Sequence, residues 1–221
     1  MSDPVANRSA WPEATYRIQL HKGFGFRDAA AIVPYLARLA VTHVYASPYL
    51  MAAQGSTHGY DVIDHSRLNP ELGTPEEFDA WMQALRTAGM SHILDTVPNH
   101  AGVATNLNPW WNDVLEHGPA GTCGRYFDIS WRGSPRESMH DRVLLPVLGK
   151  PYAEALEAGE LRVQCDLARG RLTVHYYGRT LPVDPRSYDR VLCSAAEIAG
   201  EAAAELRELE RHVQQIPARS E

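Results

Sequence analysis

Cysteine is scarce and unpatterned in this sequence. Its three cysteines, Cys123, Cys165 and Cys193, lie far apart and form no Cys-x-x-Cys pair. That excludes a disulfide framework and a cysteine-based zinc site, and it fits a reducing, cytoplasmic compartment. Basic charge is short as well: 21 lysines and arginines stand against 27 aspartates and glutamates, a net charge of -6 at pH 7 with no basic run. Neither nucleic acid nor an anionic membrane is expected as a partner. No apolar run is long enough to span a membrane, and residues 1–10 are polar, without the apolar segment of a signal peptide. Internal repeats and low-complexity segments are missing too. What is there, 44% hydrophobic and 22% charged residues over a length of 221, is the make-up of an ordinary globular protein. Such a chain buries one sizeable core or two small ones without disulfides or a structural metal.

The first hundred residues alternate between strand and helix. Residues 15–20 (TYRIQL) form a short β-rich run, then comes a glycine-punctuated loop at 21–26, then an alanine-rich helical stretch at about 27–40. Pro34 should kink that helix or mark its first turns. Residues 41–46 (VTHVYA) read as a second strand, ended by Ser47-Pro48, and 49–73 as a long loop. At Thr74 the next helix begins, with Pro75 at its first position and Glu77 completing a capping box. Phe78, Trp81, Met82 and Leu85 then share one face. Residues 91–97 (SHILDTV) make a third strand, apolar enough to be covered on both faces. This order is the signature of βαβ units and a parallel sheet, so the fold class is α/β.

After Asn99 the pattern changes. A helix is expected at 109–117, then short strands at 143–147, 161–166 and 172–177, broken by Gly149, Pro151, Gly159, Gly170 and Gly178. These read as a small β-rich subdomain inserted after the third strand. From Ser194 the chain is helical again, with Glu197 completing a second capping box and Ala202, Leu206, Leu209 and Val213 at helical spacing. The expected division is therefore 1–107, 108–190 and 191–221.

In a parallel α/β sheet the chemistry sits at the carboxyl ends of the strands. Past the third strand lies Asp95-Thr96-Val97-Pro98-Asn99-His100. If the strand ran that far, Asp95, Val97 and Asn99 would share a face; alternatively Asp95 bonds loop amides and Asn99-His100 caps a turn. Past the second strand lies His58-Gly59-Tyr60-Asp61. A tyrosine face stacks on the apolar side of a pyranose while carboxylate and imidazole bond its hydroxyls, which suits a sugar site. A loop built around a buried tyrosine is the plainer meaning of the same residues, although long loops are disproportionately functional.

Asp95-x-Val97-x-Asn99-His100, preceded by Gly59-Tyr60-Asp61, resembles the α-amylase superfamily, glycoside hydrolase family 13. The longer strings at 14–20 (ATYRIQL), 43–48 (HVYASP), 56–62 (STHGYDV) and 143–149 (VLLPVLG) are similar to its trehalose-forming branch, the maltooligosyl trehalose synthases, over roughly residues 14–192. The resemblance implies a partial (β/α)8 TIM barrel, made of the first three βα units. It also implies a maltooligosaccharide substrate whose reducing-end α-1,4 bond is isomerised to an α,α-1,1 bond by retaining double displacement. Tyr60 would stack on the sugar that is cleaved, His58 and Asp61 would shape its pocket, Asp95 would hold the loop network beneath, and His100 would bond a hydroxyl. Asn99 matches a position that binds calcium in some α-amylases, but no metal and no cofactor are expected. Trp110 and Trp111 either extend a carbohydrate surface or fill a core.

The bond-breaking carboxylates of that family are not found. Retaining chemistry needs two carboxyl groups about 5 Å apart, and the family's nucleophile stands in a Gly-x-Arg-x-Asp pattern on its fourth strand. Arg179 and Asp184 are five residues apart and Arg162 and Asp166 four, where the pattern needs two. A complete eight-stranded barrel also takes about 250 residues, more than this chain has. The chain is thus expected to be an N-terminal portion, inactive alone, whose partner is a separately encoded C-terminal portion of the enzyme. Two other readings stand beside it: a fragment of an α-glucan hydrolase, or a noncatalytic carbohydrate-binding or assembly module.

Overall fold

The computed structural model describes residues 11–104, 106–166, 169–200 and 203–214. The expectations for residues 1–10, for Ala202 and for the last residues of the C-terminal helix lie outside them. The chain forms two compact units, the first ending at Asn108 and the second beginning at Pro109.

The first unit is built on three parallel strands, β1 (Thr15–Ile18), β2 (His43–Ala46) and β5 (Ser91–Leu94), in the order β1-β2-β5. Arg17 pairs with Tyr45 and Tyr45 with Ile93, so side chains at these levels lie side by side. Helix α1 (Phe26–Arg38) connects β1 to β2, and α2 (Pro75–Thr87) precedes β5. Ile18, Val44 and Ala46 are buried against the two helices together with Phe26, Leu36, Trp81 and Leu85. At the centre of this core, Phe26 lies 5.3 Å from Phe78 and 6.1 Å from Trp81 between ring centroids. Such aromatic pairs add about 0.5–1.5 kcal/mol each beyond the area they bury.

Helix α2 begins as its sequence requires: Thr74 Oγ1 accepts the Glu77 N–H at 3.3 Å, and Glu77 Oε2 accepts the Thr74 N–H at 3.1 Å. Helix α1 continues past Pro34, which is neither in its first turns nor its terminator; the residue is exposed. Gly25, just before α1, packs against the Leu72 carbonyl so closely that a Cβ would collide with it.

Several expected boundaries move. The third strand ends at Leu94, not at 97, because its neighbour β2 stops at Ala46 and Pro98 has no N–H to pair. The segment 49–73 is not a plain loop. It holds the antiparallel pair β3 (Leu50–Ala52) and β4 (Val62–Leu68), whose register is broken by bulges, and a 3₁₀ turn at Pro70–Leu72.

In the second unit α3 (Pro109–His117) is followed by a long stretch of turns. The strand expected at 143–147 is not formed: Val147 N–H closes a tight turn on Leu145 O, and Leu144 is 76% exposed. Then come α4 (Tyr152–Glu157), β6 (Leu161–Asp166), β7 (Arg171–Tyr176) and β8 (Arg179–Pro182), a three-stranded antiparallel sheet. Helix α5 (Tyr188–Ile198) already contains Ser194, so the second capping box does not exist. Its start is prepared instead by Asp184, whose carboxylate accepts the Arg186 N–H at 2.9 Å ahead of a 3₁₀ turn. Helix α6 (Ala203–Gln214) packs on α5. Among the described residues no helix is long and apolar enough to cross a membrane.

His92 on β5 supplies a pH test of the core. Its ring lies against Trp81 and Tyr49, at 5.5 and 5.6 Å between centroids, and its Nε2 is buried without a hydrogen-bond partner. Burial pushes the imidazole pKa down. The folded state therefore keeps His92 neutral while the unfolded chain takes up a proton at about pH 6.5, so stability falls as pH drops through that value. The urea midpoint is expected to decline between pH 7 and 5, and His92→Phe to make that decline shallower. An equal decline in the variant would show that other histidines carry it.

Candidate functional site

Because side chains on a strand alternate between faces, the sheet that buries Ile18, Val44 and Ala46 against helices sends Arg17, Tyr45 and Asp95 to the other side. There the Arg17 guanidinium lies over the Tyr45 ring, 4.5 Å from its centroid. Its Nη1 donates to Asp95 Oδ2 at 2.8 Å and its Nη2 to the Tyr60 hydroxyl oxygen at 2.8 Å. The Tyr60 hydroxyl donates in turn to Asp95 Oδ2 at 2.6 Å, closing a ring of three side chains. The hydrogen bond from Tyr60 is the largest influence that holds the Asp95 carboxyl below the usual carboxylate range, followed by those from Arg17. Asp95 is thus an ionised acceptor at neutral pH, a group that anchors neighbours and has no proton to give.

Tyr60 is delivered to this ring by the turn that leads into β4. Gly59 has φ of +77° and approaches the Pro48 carbonyl so nearly that a Cβ would stand 2.5 Å from its oxygen; only glycine fits there. The Ser56 hydroxyl donates to Asp61 Oδ1 at 2.5 Å and accepts the Gly59 N–H at 3.1 Å. His58 Nδ1 accepts the Tyr60 N–H at 3.1 Å, and the two rings stack with centroids 5.9 Å apart. That nitrogen therefore carries no proton, and its 3.8 Å approach to Asp61 Oδ1 is not a charge pair in this state. His100 Nε2 donates to the Tyr60 carbonyl at 3.1 Å.

Of the residues singled out in the sequence, His58, Tyr60, Asp61, Asp95 and His100 come together here. Asn99 lies exposed in the bend beyond β5. Asp95 does not bond loop amides; its partners are side chains from β1 and from the turn before β4. Trp110 and Trp111 are half-buried, packed edge-on against Tyr126 at 5.5 Å and Phe127 at 5.1 Å. Arg17 is the member that reading motifs one at a time did not find. Its signal was positional: an arginine between Tyr16 and Ile18 must face away from the core that Ile18 enters. Among the described residues no group of three or more His, Cys, Asp or Glu side chains is placed to hold a metal ion.

Residues 30–134 match the family described as "Alpha amylase, catalytic domain". The chain is 40% identical over 183 residues to a putative maltooligosyl trehalose synthase of Mycobacterium tuberculosis, an alignment covering 80% of this chain and 22% of that protein. It is similar in structure to the maltooligosyltrehalose synthase of Arthrobacter ramosus, with a TM-score of 0.68 and 42% identity over 78% of this chain and 21% of the other. A crystal structure of another maltooligosyl trehalose synthase gives a TM-score of 0.70 at 38% identity, covering 78% of this chain and 22% of the other. The chain spans about a fifth of the length of these relatives.

The side-chain ring makes a titration that can be measured. Tyr60→Phe removes the hydrogen bond that most favours the ionised form, so the Asp95 pKa should rise toward its ordinary value. Because a depressed carboxyl pKa stabilises the fold above about pH 3.9, the variant should be less stable than the wild type at neutral pH. That deficit should close as the pH falls through the folded-state value. Carboxyl carbon shifts followed by NMR read the first effect directly; an unmoved Asp95 titration would show that the tyrosine does not govern it.

Proposed function

With its relation to the maltooligosyl trehalose synthases of the α-amylase superfamily as the premise, we propose that this chain is the glucan-holding part of an α-glucan-acting enzyme. In this reading β1, β2 and β5 are the first three strands of a (β/α)8 barrel, and the second unit is the β-rich subdomain that follows its third strand. The observation that carries the proposal is the ring of Arg17, Tyr60 and Asp95 at the carboxyl ends of those strands. Ligands of parallel α/β folds bind at that end of the sheet.

The ring gives each residue a task that follows from its bonds. Tyr60, tied by its hydroxyl, offers an aromatic face of fixed direction on which a glucosyl ring can stack. Asp95 holds that tyrosine and Arg17 in place. His58 backs the tyrosine, and Asp61, braced by Ser56, keeps the turn closed. His100, whose Nε2 is engaged by the Tyr60 carbonyl, keeps Nδ1 for a sugar hydroxyl, and Asn99 stands at the rim.

No Gly-x-Arg-x-Asp sequence occurs within these 221 residues, and Asp95 is a held anion. Double displacement needs two carboxyl groups flanking the bond, one of them protonated. The isomerisation of a maltooligosaccharide to a trehalose-ended product therefore requires further strands that carry those groups, from a separately encoded portion or from a longer form of the chain.

Two measurements test this reading. Maltopentaose incubated with the purified chain should yield no trehalose-ended product and no shorter sugars, whereas turnover of either kind would overturn the positioning role. Titration calorimetry with maltopentaose should detect binding, weakened about tenfold by Tyr60→Ala, the loss expected when a stacking contact of about 1.4 kcal/mol is removed. Wild-type chain that binds no maltooligosaccharide would remove the proposal.

A further inference from the structure

The turn between β7 and β8 holds a tyrosine where the backbone does not favour one. Tyr176 pairs with Arg179, so Tyr177 and Gly178 form a two-residue hairpin turn. Tyr177, its first member, has φ of +49°. Glycine, asparagine or aspartate ordinarily fill turn positions of positive φ, and a bulky residue there is an outlier. Strain of this kind, once observed, is a reason to ask what the side chain does.

The Tyr177 side chain does not fill a core: the residue is 73% exposed. Its ring stands edge-on to Tyr176 at 4.8 Å. Tyr176 is buried at the root of the turn, its hydroxyl oxygen accepting the Gly149 N–H at 2.9 Å. Beside the Tyr177 hydroxyl lies the Glu160 carboxylate, which pushes the tyrosine pKa up. Glu160 is itself clamped by Lys150, Nζ to Oε1 at 2.6 Å, and its Oε2 is buried from solvent. The hairpin thus presents an open aromatic face bordered by the Lys150 ammonium, which Glu160 holds in place. An aromatic face with a hydrogen-bond donor at its edge is an arrangement that takes a pyranose, whose ring C–H groups stack while a hydroxyl accepts at the edge.

We propose that Tyr177, with Lys150 at its edge, forms a second carbohydrate site for an α-1,4-glucan chain, on the second unit and distinct from the Tyr60 site. The inference rests on the glucan-binding reading of the first unit for its ligand. Its position rests only on the turn. Tyr177 supplies the stacking surface, Lys150 the hydrogen bond at its margin, Glu160 holds that lysine, and the strained turn holds the ring outward.

The test is Tyr177→Asn, which places at the position of positive φ a residue that tolerates it. The urea midpoint should rise, because asparagine tolerates the positive φ that tyrosine does not, while sugar binding at the turn is lost. In the wild-type chain titrated with maltopentaose, the amide NMR signals of Tyr177 and Gly178 should shift independently of those of Tyr60 and His100. In the asparagine variant the shift at Gly178 should vanish or its apparent Kd rise at least fivefold, with the Tyr60 response unchanged. Tyr177→Phe, which keeps the ring, should bind within about twofold of wild type. Shifts at Tyr60 without shifts at the turn would overturn the second site and leave the first. Shifts at neither would overturn both, and shifts at the turn alone would support the second site against the first. A midpoint that does not rise in the asparagine variant would overturn the strain on which the argument stands.

Discussion

Residues two apart on a strand share a face, and in the sheet of β1, β2 and β5 that rule separates two kinds of chemistry within a few ångströms. Ile18, Val44 and Ala46 enter the core formed with Phe26, Leu36 and Trp81. Arg17, Tyr45 and Asp95 have nowhere to go but the opposite face. The parallel register then aligns them, because Arg17 stands beside Tyr45 and Asp95 follows the strand next to it. A slip of one residue in any strand would bury the arginine and expose the valine, so packing of the core fixes the site as well.

Once aligned, the polar side chains satisfy one another. Arg17 offers a planar guanidinium that lies flat on Tyr45 while its two terminal nitrogens reach Asp95 and Tyr60. A lysine could not make both bonds and the stack together. The tyrosine belongs to another element, the turn held by Ser56, Gly59 and Asp61, so the ring of hydrogen bonds also ties that turn to the sheet. Position and electrostatics are here the same fact: the contacts that keep Asp95 ionised are the contacts that orient Tyr60.

The legible part of the sequence was the part governed by local rules. The capping box at Thr74 and Glu77, the helical face of Trp81 and Leu85, and strand β6 at Leu161–Asp166 all stand as the periodicity and capping residues imply. What was not legible depended on partners. Strand β5 stops at Leu94 because its neighbour stops at Ala46, and no property of residues 95–97 announces that. Strands β3 and β4 pair through a bulged register across a turn that holds Gly55 and Gly59, and neither shows a clean alternation. The apolar run at 143–147 looks like a strand but turns back on itself, the Val147 N–H bonding Leu145 O. Ser194 and Glu197 have the spacing of a cap, yet Asp184 and the turn at Pro185–Ser187 start the helix earlier. For the site, His58 to Asp61 and Asp95 to His100 were visible as clusters, whereas Arg17 gained meaning only when the register placed it between them.

Tyr60 and Tyr177 show two ways of holding an aromatic face still. Stacking a side chain on a sugar costs the rotamer freedom the side chain loses on binding, on the order of 0.5–1.5 kcal/mol for each group that must be immobilised. Tyr60 meets that cost in advance through its hydroxyl, which is bonded to Arg17 and Asp95, and through its ring, which lies on His58. Tyr177 meets it through the backbone, a turn position of positive φ, and through the Tyr176 ring that stands edge-on to it. The first device depends on charge, since it weakens if Asp95 is protonated, and the second does not. A glucan on Tyr60 would therefore lose its contact in acid, whereas one on Tyr177 would keep it.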